Sequence, residues 1–125
     1  MILRNASLLA ALAFSASVLA AGPVGNPVAG KKAFEATKGA DGNPKAACTS
    51  CHGAGGNAPL EGMPKLAGQY PEYLSKALHE YRSGKRSNGV MGMQAKGLTE
   101  AEIDDITAYL GSAKGDIHDL SGHAR

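Results

Sequence analysis

Tryptophan is absent from this chain, phenylalanine occurs only twice, and aromatic residues make up 5% of the sequence. A core built mainly from large rings is therefore excluded. Cysteine also occurs only twice in 125 residues, and both thiols fall inside one five-residue stretch. That excludes a disulfide framework as the scaffold of the fold. No basic run is long enough to imply a nucleic-acid partner. No convincing alternation of apolar and polar residues marks a strand. No internal repeat is present. Beyond the first 20 residues, no apolar run is long enough to span a bilayer.

The N-terminus has the features of an export signal. Arg4 supplies a positive start, and an apolar run follows from Ala6 to Ala20, broken only by Ser7, Ser15 and Ser17. Val18-Leu19-Ala20 offers a cleavage site. The run is short and rich in Ala and Ser, which disfavours a membrane anchor. Residues 1–20 are thus expected to be a secretory signal peptide, cut after Ala20 or Ala21. Cleavage after Ala20 leaves 105 residues, with 12 basic against 11 acidic side chains. That length fits a single domain with one modest core. No membrane association is expected after cleavage.

The stretch holding both thiols is Cys48-Thr49-Ser50-Cys51-His52. Two thiols and an adjacent imidazole at this spacing are the attachment signature of a c-type haem. Each thiol can add across one vinyl group, and His52 can approach the iron from one face. The bland alternative is a solvated histidine beside a redox disulfide. A zinc site lacks the further thiols it would need. Only one such motif occurs, so one haem, covalent through Cys48 and Cys51, is the economical count. With so few aromatics and 17 glycines, the haem would itself form much of the core. Its two propionates would leave the holoprotein neutral or slightly negative.

The rest of the chain divides into pieces. Asn26–Gly30 looks like a Pro/Gly-rich lead-in. Lys31–Lys38 looks helical, with Phe34 facing inward. Asp41-Gly42-Asn43-Pro44 marks a turn. Gly53–Gly62 is a glycine-rich loop. The best amphipathic helix starts at Pro71, carries Tyr73, Leu74, Ala77, Leu78 and Tyr81 on one face, and stops at Gly84. Ser83–Gly89 is a polar loop leading to Met91 and Met93. Thr99-Glu100-Ala101-Glu102 is a capping box. Ile103, Ile106 and Leu110 form the stripe behind it, bordered by Tyr109, and Gly111 closes that helix. Residues 112–125 have no stripe and look like a flexible C-terminal tail. The expected architecture is all-α, with three main helices and loops wrapped around one flat cofactor.

An electron carrier needs a second axial ligand. A thioether favours Fe(II) and raises the potential. Met91 and Met93 are both candidates, and chemistry alone leaves them near even. Met63 lies too close to the first half of the wrap. His79 reads as surface, and His118 and His123 belong to the tail. The outer nitrogen of His52 needs an acceptor, and a backbone carbonyl near Pro64 is a candidate. Lys45, Lys65, Lys85 and Arg86 are candidate docking charges, each with ordinary solvation as the simpler account.

With the attachment motif stand Pro64-Lys65-Leu66-Ala67-Gly68-Gln69, Tyr81-Arg82-Ser83-Gly84 and Leu98-Thr99-Glu100-Ala101-Glu102-Ile103. On these motifs, over roughly residues 28–111, the chain resembles class I c-type cytochromes. It is most similar to bacterial single-haem cytochromes of the c553 type and to one domain of dihaem cytochrome c4. The resemblance implies the class I cytochrome c fold, His/Met ligation and one-electron transfer in the periplasm without catalysis. It implies Met91 as the iron ligand, seven residues before Leu98, and the Pro64 carbonyl as the support of His52. It implies that Phe34 packs against the last helix, with Tyr109 and Leu110 as counterparts. The Gly39–Lys45 stretch departs from the pattern as an insertion between Phe34 and Cys48. Transient redox proteins are the implied partners, with a place as haem subunit of a larger oxidoreductase as the alternative.

Overall fold

The computed structural model describes residues 25–117. The expected signal segment 1–20 and residues 118–125 lie outside the described residues. The described chain is all-α, but it forms five helices rather than three main ones. They are α1 Pro27–Glu35, α2 Thr49–His52, α3 Pro71–Ser83, α4 Gly89–Lys96 and α5 Glu100–Ser112, with a 3-10 turn at Ala54–Gly56.

α1 starts earlier than its sequence implied. Asn26 caps it, with Oδ1 accepting from the backbone N–H of Val28 at 2.9 Å and of Ala29 at 3.3 Å. Pro27 sits at the first helical position, where its missing N–H costs nothing. Pro27 and Gly30 look like helix breakers in isolation. Gly30 is instead a contact residue. A Cβ there would lie 1.9 Å from the Asp105 carbonyl oxygen and 2.8 Å from the Tyr109 Cβ. The absent side chain lets α1 lie against α5, the most extensive helix pairing in the fold. Asn26 N–H also donates to Asp105 Oδ1 at 2.7 Å, which ties the start of the described chain to α5.

Phe34 is buried with Leu74, Leu98, Ile103, Ile106 and Leu110 in one cluster. Phe34 and Ile103 are its largest fully buried side chains, each contributing about 2 kcal/mol by removal from water. On α3, Leu74 and Leu78 reach this cluster. Tyr73, expected on the same face, remains 46% exposed. The α5 stripe of Ile103, Ile106 and Leu110 is buried, and the Thr99–Glu102 capping box is complete. α5 runs one residue past Gly111, to Ser112.

The insertion folds back on itself. Gly39 N–H donates to Asn43 O at 2.9 Å, and Lys45 N–H donates to Thr37 O at 2.9 Å. Lys38 and Pro44 form an isolated antiparallel bridge. The excursion therefore returns the chain to where it left, and Cys48 N–H donates to Phe34 O at 3.0 Å. Asp41 accepts from the backbone and side chain of Asn43, which lowers its carboxyl pKa. At the other end, residues 113–117 lie against the 65–68 segment. The backbones of Gly115 and Ile117 approach Ala67 and Gly68, and Lys65 pairs with Asp116.

Candidate haem site

A single helical turn organises the attachment motif. Cys48 caps α2, and its carbonyl accepts from His52 N–H at 2.9 Å. Residues three and four apart share a helix face. Cys48, Cys51 and His52 are therefore presented together by one turn. Both cysteines are free and half-buried. Burial pushes the Cys48 thiol pKa up, partly countered by the nearby Lys45 ammonium. The thiol is therefore kept protonated at neutral pH.

His52 is 6% exposed. Its Nδ1 lies 3.0 Å from the Pro64 carbonyl oxygen. A carbonyl only accepts, so Nδ1 carries the proton and donates. The lone pair then resides on Nε2, which makes no hydrogen bond among the described residues. A buried imidazole with one nitrogen fixed by an acceptor leaves the other able to bind a metal.

The wrap after the motif is pinned at several points. Gly53 has φ 77°, and a Cβ on it would lie 2.1 Å from the Ala58 carbonyl oxygen. Only glycine permits that turn so close to crossing backbone. Leu60 N–H donates to Cys51 O at 2.9 Å, and Leu66 N–H donates to Gly56 O at 2.7 Å. Gly68 N–H donates to Leu110 O at 2.9 Å, which fastens the wrap to α5. The side-chain oxygen of Asn57 is buried in this wrap without a hydrogen-bond partner. Such an orphan marks a neighbour that the polypeptide does not supply.

Met91 and Met93 follow the polar loop as helical residues. Both lie in α4. Asn88 caps this helix, accepting from Met91 N–H at 3.0 Å. Asn88, of a capping residue type just before Gly89, is the one sequence signal that announces this helix. The glycine-rich Gly89–Met93 run masks the helix, because it carries little amphipathic contrast. Met91 is half-buried and lies four residues before the fully buried Ala95. Met93 is 70% exposed, on the other side of the helix.

The matching family model is that of cytochrome c, over residues 27–114. The chain belongs to the cytochrome c family. Its all-α architecture is the class I cytochrome c fold, and its two cysteines fit one covalently attached haem c. A cytochrome c4 of Pseudomonas aeruginosa is 43% identical over 83 residues, covering 66% of this chain and 41% of the relative. The cytochrome subunit of sulfide dehydrogenase from Chlorobaculum tepidum is 42% identical over 65 residues, covering 52% of this chain and 58% of that protein. The structure of thiosulfate dehydrogenase from Marichromatium purpuratum superposes with a TM-score of 0.62 at 32% identity. That match covers 76% of this chain and 20% of that one. This chain therefore spans less than two thirds of each of these relatives.

Among the described residues, no group of three or more His, Cys, Asp or Glu could hold a metal ion. No helix among them is long and apolar enough to cross a membrane. The remaining candidates separate by their contacts. Lys45 donates to Ala33 O at 3.4 Å, and Lys65 is taken up by Asp116. His79 lies on the surface between α3 and α5, 2.8 Å from Glu100 Oε2. His118 and His123 lie outside the described residues.

Proposed function

We propose that this chain is a periplasmic haem c electron-transfer partner of a larger oxidoreductase acting on a reduced sulfur compound. The observation that carries the electron-transfer part is the state of His52. It is buried, its Nδ1–H is held by Pro64 O at 3.0 Å, and its Nε2 is left available on the turn bearing both thiols. The bound haem supplies an iron that exchanges single electrons between the ferric and ferrous states. His52 Nε2 would bind that iron, and Pro64 O would keep the ring oriented and electron-rich. Met91 is the proposed second ligand, supported by its place on the half-buried side of α4.

The subunit reading has its own support. Leu60 and Met63 are 61% and 45% exposed on the loop between the attachment turn and Pro64. Exposed apolar residues beside a cofactor suit a lasting protein contact. Similarity to the cytochrome subunit of sulfide dehydrogenase and to thiosulfate dehydrogenase points to the same partner class.

The test is made on mature protein produced in a host that attaches haem c. Its spectrum should show low-spin six-coordinate haem. Sulfide or thiosulfate should reduce it rapidly only when the corresponding dehydrogenase is present. Protein without thioether-linked haem ends the cytochrome reading. A normal cytochrome that neither dehydrogenase reduces removes the sulfur-oxidoreductase assignment and leaves a general electron carrier.

A further inference from the structure

Charge is unevenly distributed along this chain. No Asp or Glu occurs between Glu80 and Glu100, whereas Arg82, Lys85, Arg86 and Lys96 all fall there. α5 then begins with Glu100, Glu102, Asp104 and Asp105. The two acids bordering the cationic segment are already engaged. Glu80 pairs with Lys76 at 3.4 Å, and Glu100 pairs with Arg82 and His79. Lys85, Arg86 and Lys96 have no ion pair among the described residues.

Arg86 and Lys96 share a shaped surface, and Lys85 precedes Arg86 in the chain. A cleft of about 250 Å³ opens between the end of α3 and α4, lined by Tyr81, Arg86, Ser87, Asn88, Met93 and Lys96, among others. Arg86 is held ready at its wall. Its guanidinium lies 5.0 Å from the Tyr81 ring centroid and donates to the Tyr73 hydroxyl at 3.5 Å, while the Arg86 backbone N–H donates to Glu80 O at 3.0 Å. Holding the side chain in advance lowers the entropy lost when it meets a carboxylate. Val90 and Met93 stand 58% and 70% exposed on the same helix. The surface thus combines apolar side chains with unneutralised cations, and α4 carries Met91 on its other side.

We propose that this α3–α4 corner is the docking surface for a redox partner protein whose own surface is acidic around an apolar centre. The proposal rests on the electron-transfer reading and adds where a transient partner meets the protein. The apolar Leu60–Met63 loop suits a lasting contact, whereas the α3–α4 corner suits fast encounter steered by charge. A partner carboxylate fits between Arg86 and Lys96, and apolar partner atoms cover Val90 and Met93. Docking there places a partner against the helix that carries the proposed methionine ligand. The other sequence-level docking lysines are unsuited, because Lys45 is turned to Ala33 O and Lys65 to Asp116.

The test uses reduced, ¹⁵N-labelled holoprotein with hexacyanochromate(III), a paramagnetic trianion, as the mapping probe. Plastocyanin, an acidic copper protein, serves as the protein probe. Broadening should centre on residues 84–97 and vanish in Lys85→Glu/Lys96→Glu. The same variant should slow electron transfer to plastocyanin about tenfold at low ionic strength. Lys31→Glu/Lys32→Glu, a matched charge change on α1, should leave the broadening pattern and the rate nearly unchanged. Broadening spread evenly over the surface, or equal slowing in both variants, overturns the proposal. A dimer in sedimentation that Lys85→Glu/Lys96→Glu disperses would assign the surface to a second copy and also overturn it. Failure of haem attachment shows in the absorption spectrum and sinks the electron-transfer reading. A normal spectrum with unlocalised broadening sinks the docking surface alone.

Discussion

The ring of Phe34 meets the ring of Tyr109 with centroids 5.9 Å apart and planes tilted by 58°. This tilted contact joins α1 to α5 and belongs to the cluster that also receives Leu74 from α3. It also reaches the haem site, because the Phe34 carbonyl accepts from Cys48 N–H. One residue therefore couples the helix pair to the start of the attachment turn. Phe34→Ala should destabilise the holoprotein by about 4 kcal/mol, the usual cost of emptying a buried ring site. Denaturant unfolding of wild-type and variant holoprotein checks this. A loss below about 1 kcal/mol would show that the ring is not a keystone of the core.

Gly30 makes a second prediction at the same crossing. Its missing Cβ would meet backbone, not the end of a flexible side chain. Relief requires α1 and α5 to separate, so Gly30→Ala should cost about 3 kcal/mol. Lys31→Ala, at the exposed next position, should change stability by no more than about 0.5 kcal/mol. Comparable unfolding midpoints for the two variants would refute the close-approach account.

His79 supplies a pH-dependent prediction. Both of its ring nitrogens face acceptors, Nδ1 the Ser75 carbonyl at 2.7 Å and Nε2 the Glu100 carboxylate at 2.8 Å. Only the imidazolium donates to both. The Ser75 carbonyl first and the Glu100 hydrogen bond second raise the His79 pKa above its ordinary 6.5. His79 and Arg82 in turn lower the Glu100 pKa from 4.5. A raised pKa in the folded state gives stability that is fully present below about 6.5 and is lost as pH rises through the folded value. The depressed Glu100 pKa gives stability that is present above about 4.5 and is lost as pH falls through the folded value. The clasp is thus strongest between these limits. Because the pair is largely exposed, His79→Gln should lower the thermal midpoint by only about 2 °C at pH 5.5. The difference should shrink by pH 9. A constant difference from pH 5 to pH 9 would contradict the charged clasp.

Different physical signals made different parts of this protein legible. The attachment motif was plain because Cys48, Cys51 and His52 are adjacent in sequence and their chemistry restricts the spacing. The capped α5 was plain because Thr99, Glu102 and the Ile103–Ile106–Leu110 stripe agree at two levels. α1 was misplaced because Pro27 and Gly30 carry breaker propensities that depend on position. Their acceptance comes from the Asn26 cap and from α5, which lies some 75 residues away in the chain. α4 was hidden because Gly89 and Gly92 leave it with little apolar contrast. Its inward side is defined by packing at Ala95, and no local pattern announces that. The Asp41-Gly42-Asn43-Pro44 turn was legible from its residue types, whereas the return of Lys45 N–H to Thr37 O was not, since that contact joins backbone groups.

The placement of α4 sharpens the choice between the two methionines. Residues 91 and 93 are separated by about 200° around a helix with 3.6 residues per turn. A helix that turns one toward the interior must turn the other away. Ala95, fully buried one turn beyond Met91, fixes which side is inward. For Met93 to take the inward side, α4 would have to roll by about half a turn, expelling Ala95 from its buried place. Met91→Ala should therefore abolish the weak near-infrared band of a thioether–Fe(III) bond and lower the reduction potential, because the thioether favours the ferrous state. Met93→Ala should retain the band and shift the potential little. Near-infrared absorption with redox titration of the two holoproteins decides it: retention of the band in Met91→Ala and its loss in Met93→Ala would mean that α4 is rolled in the haem-bound protein.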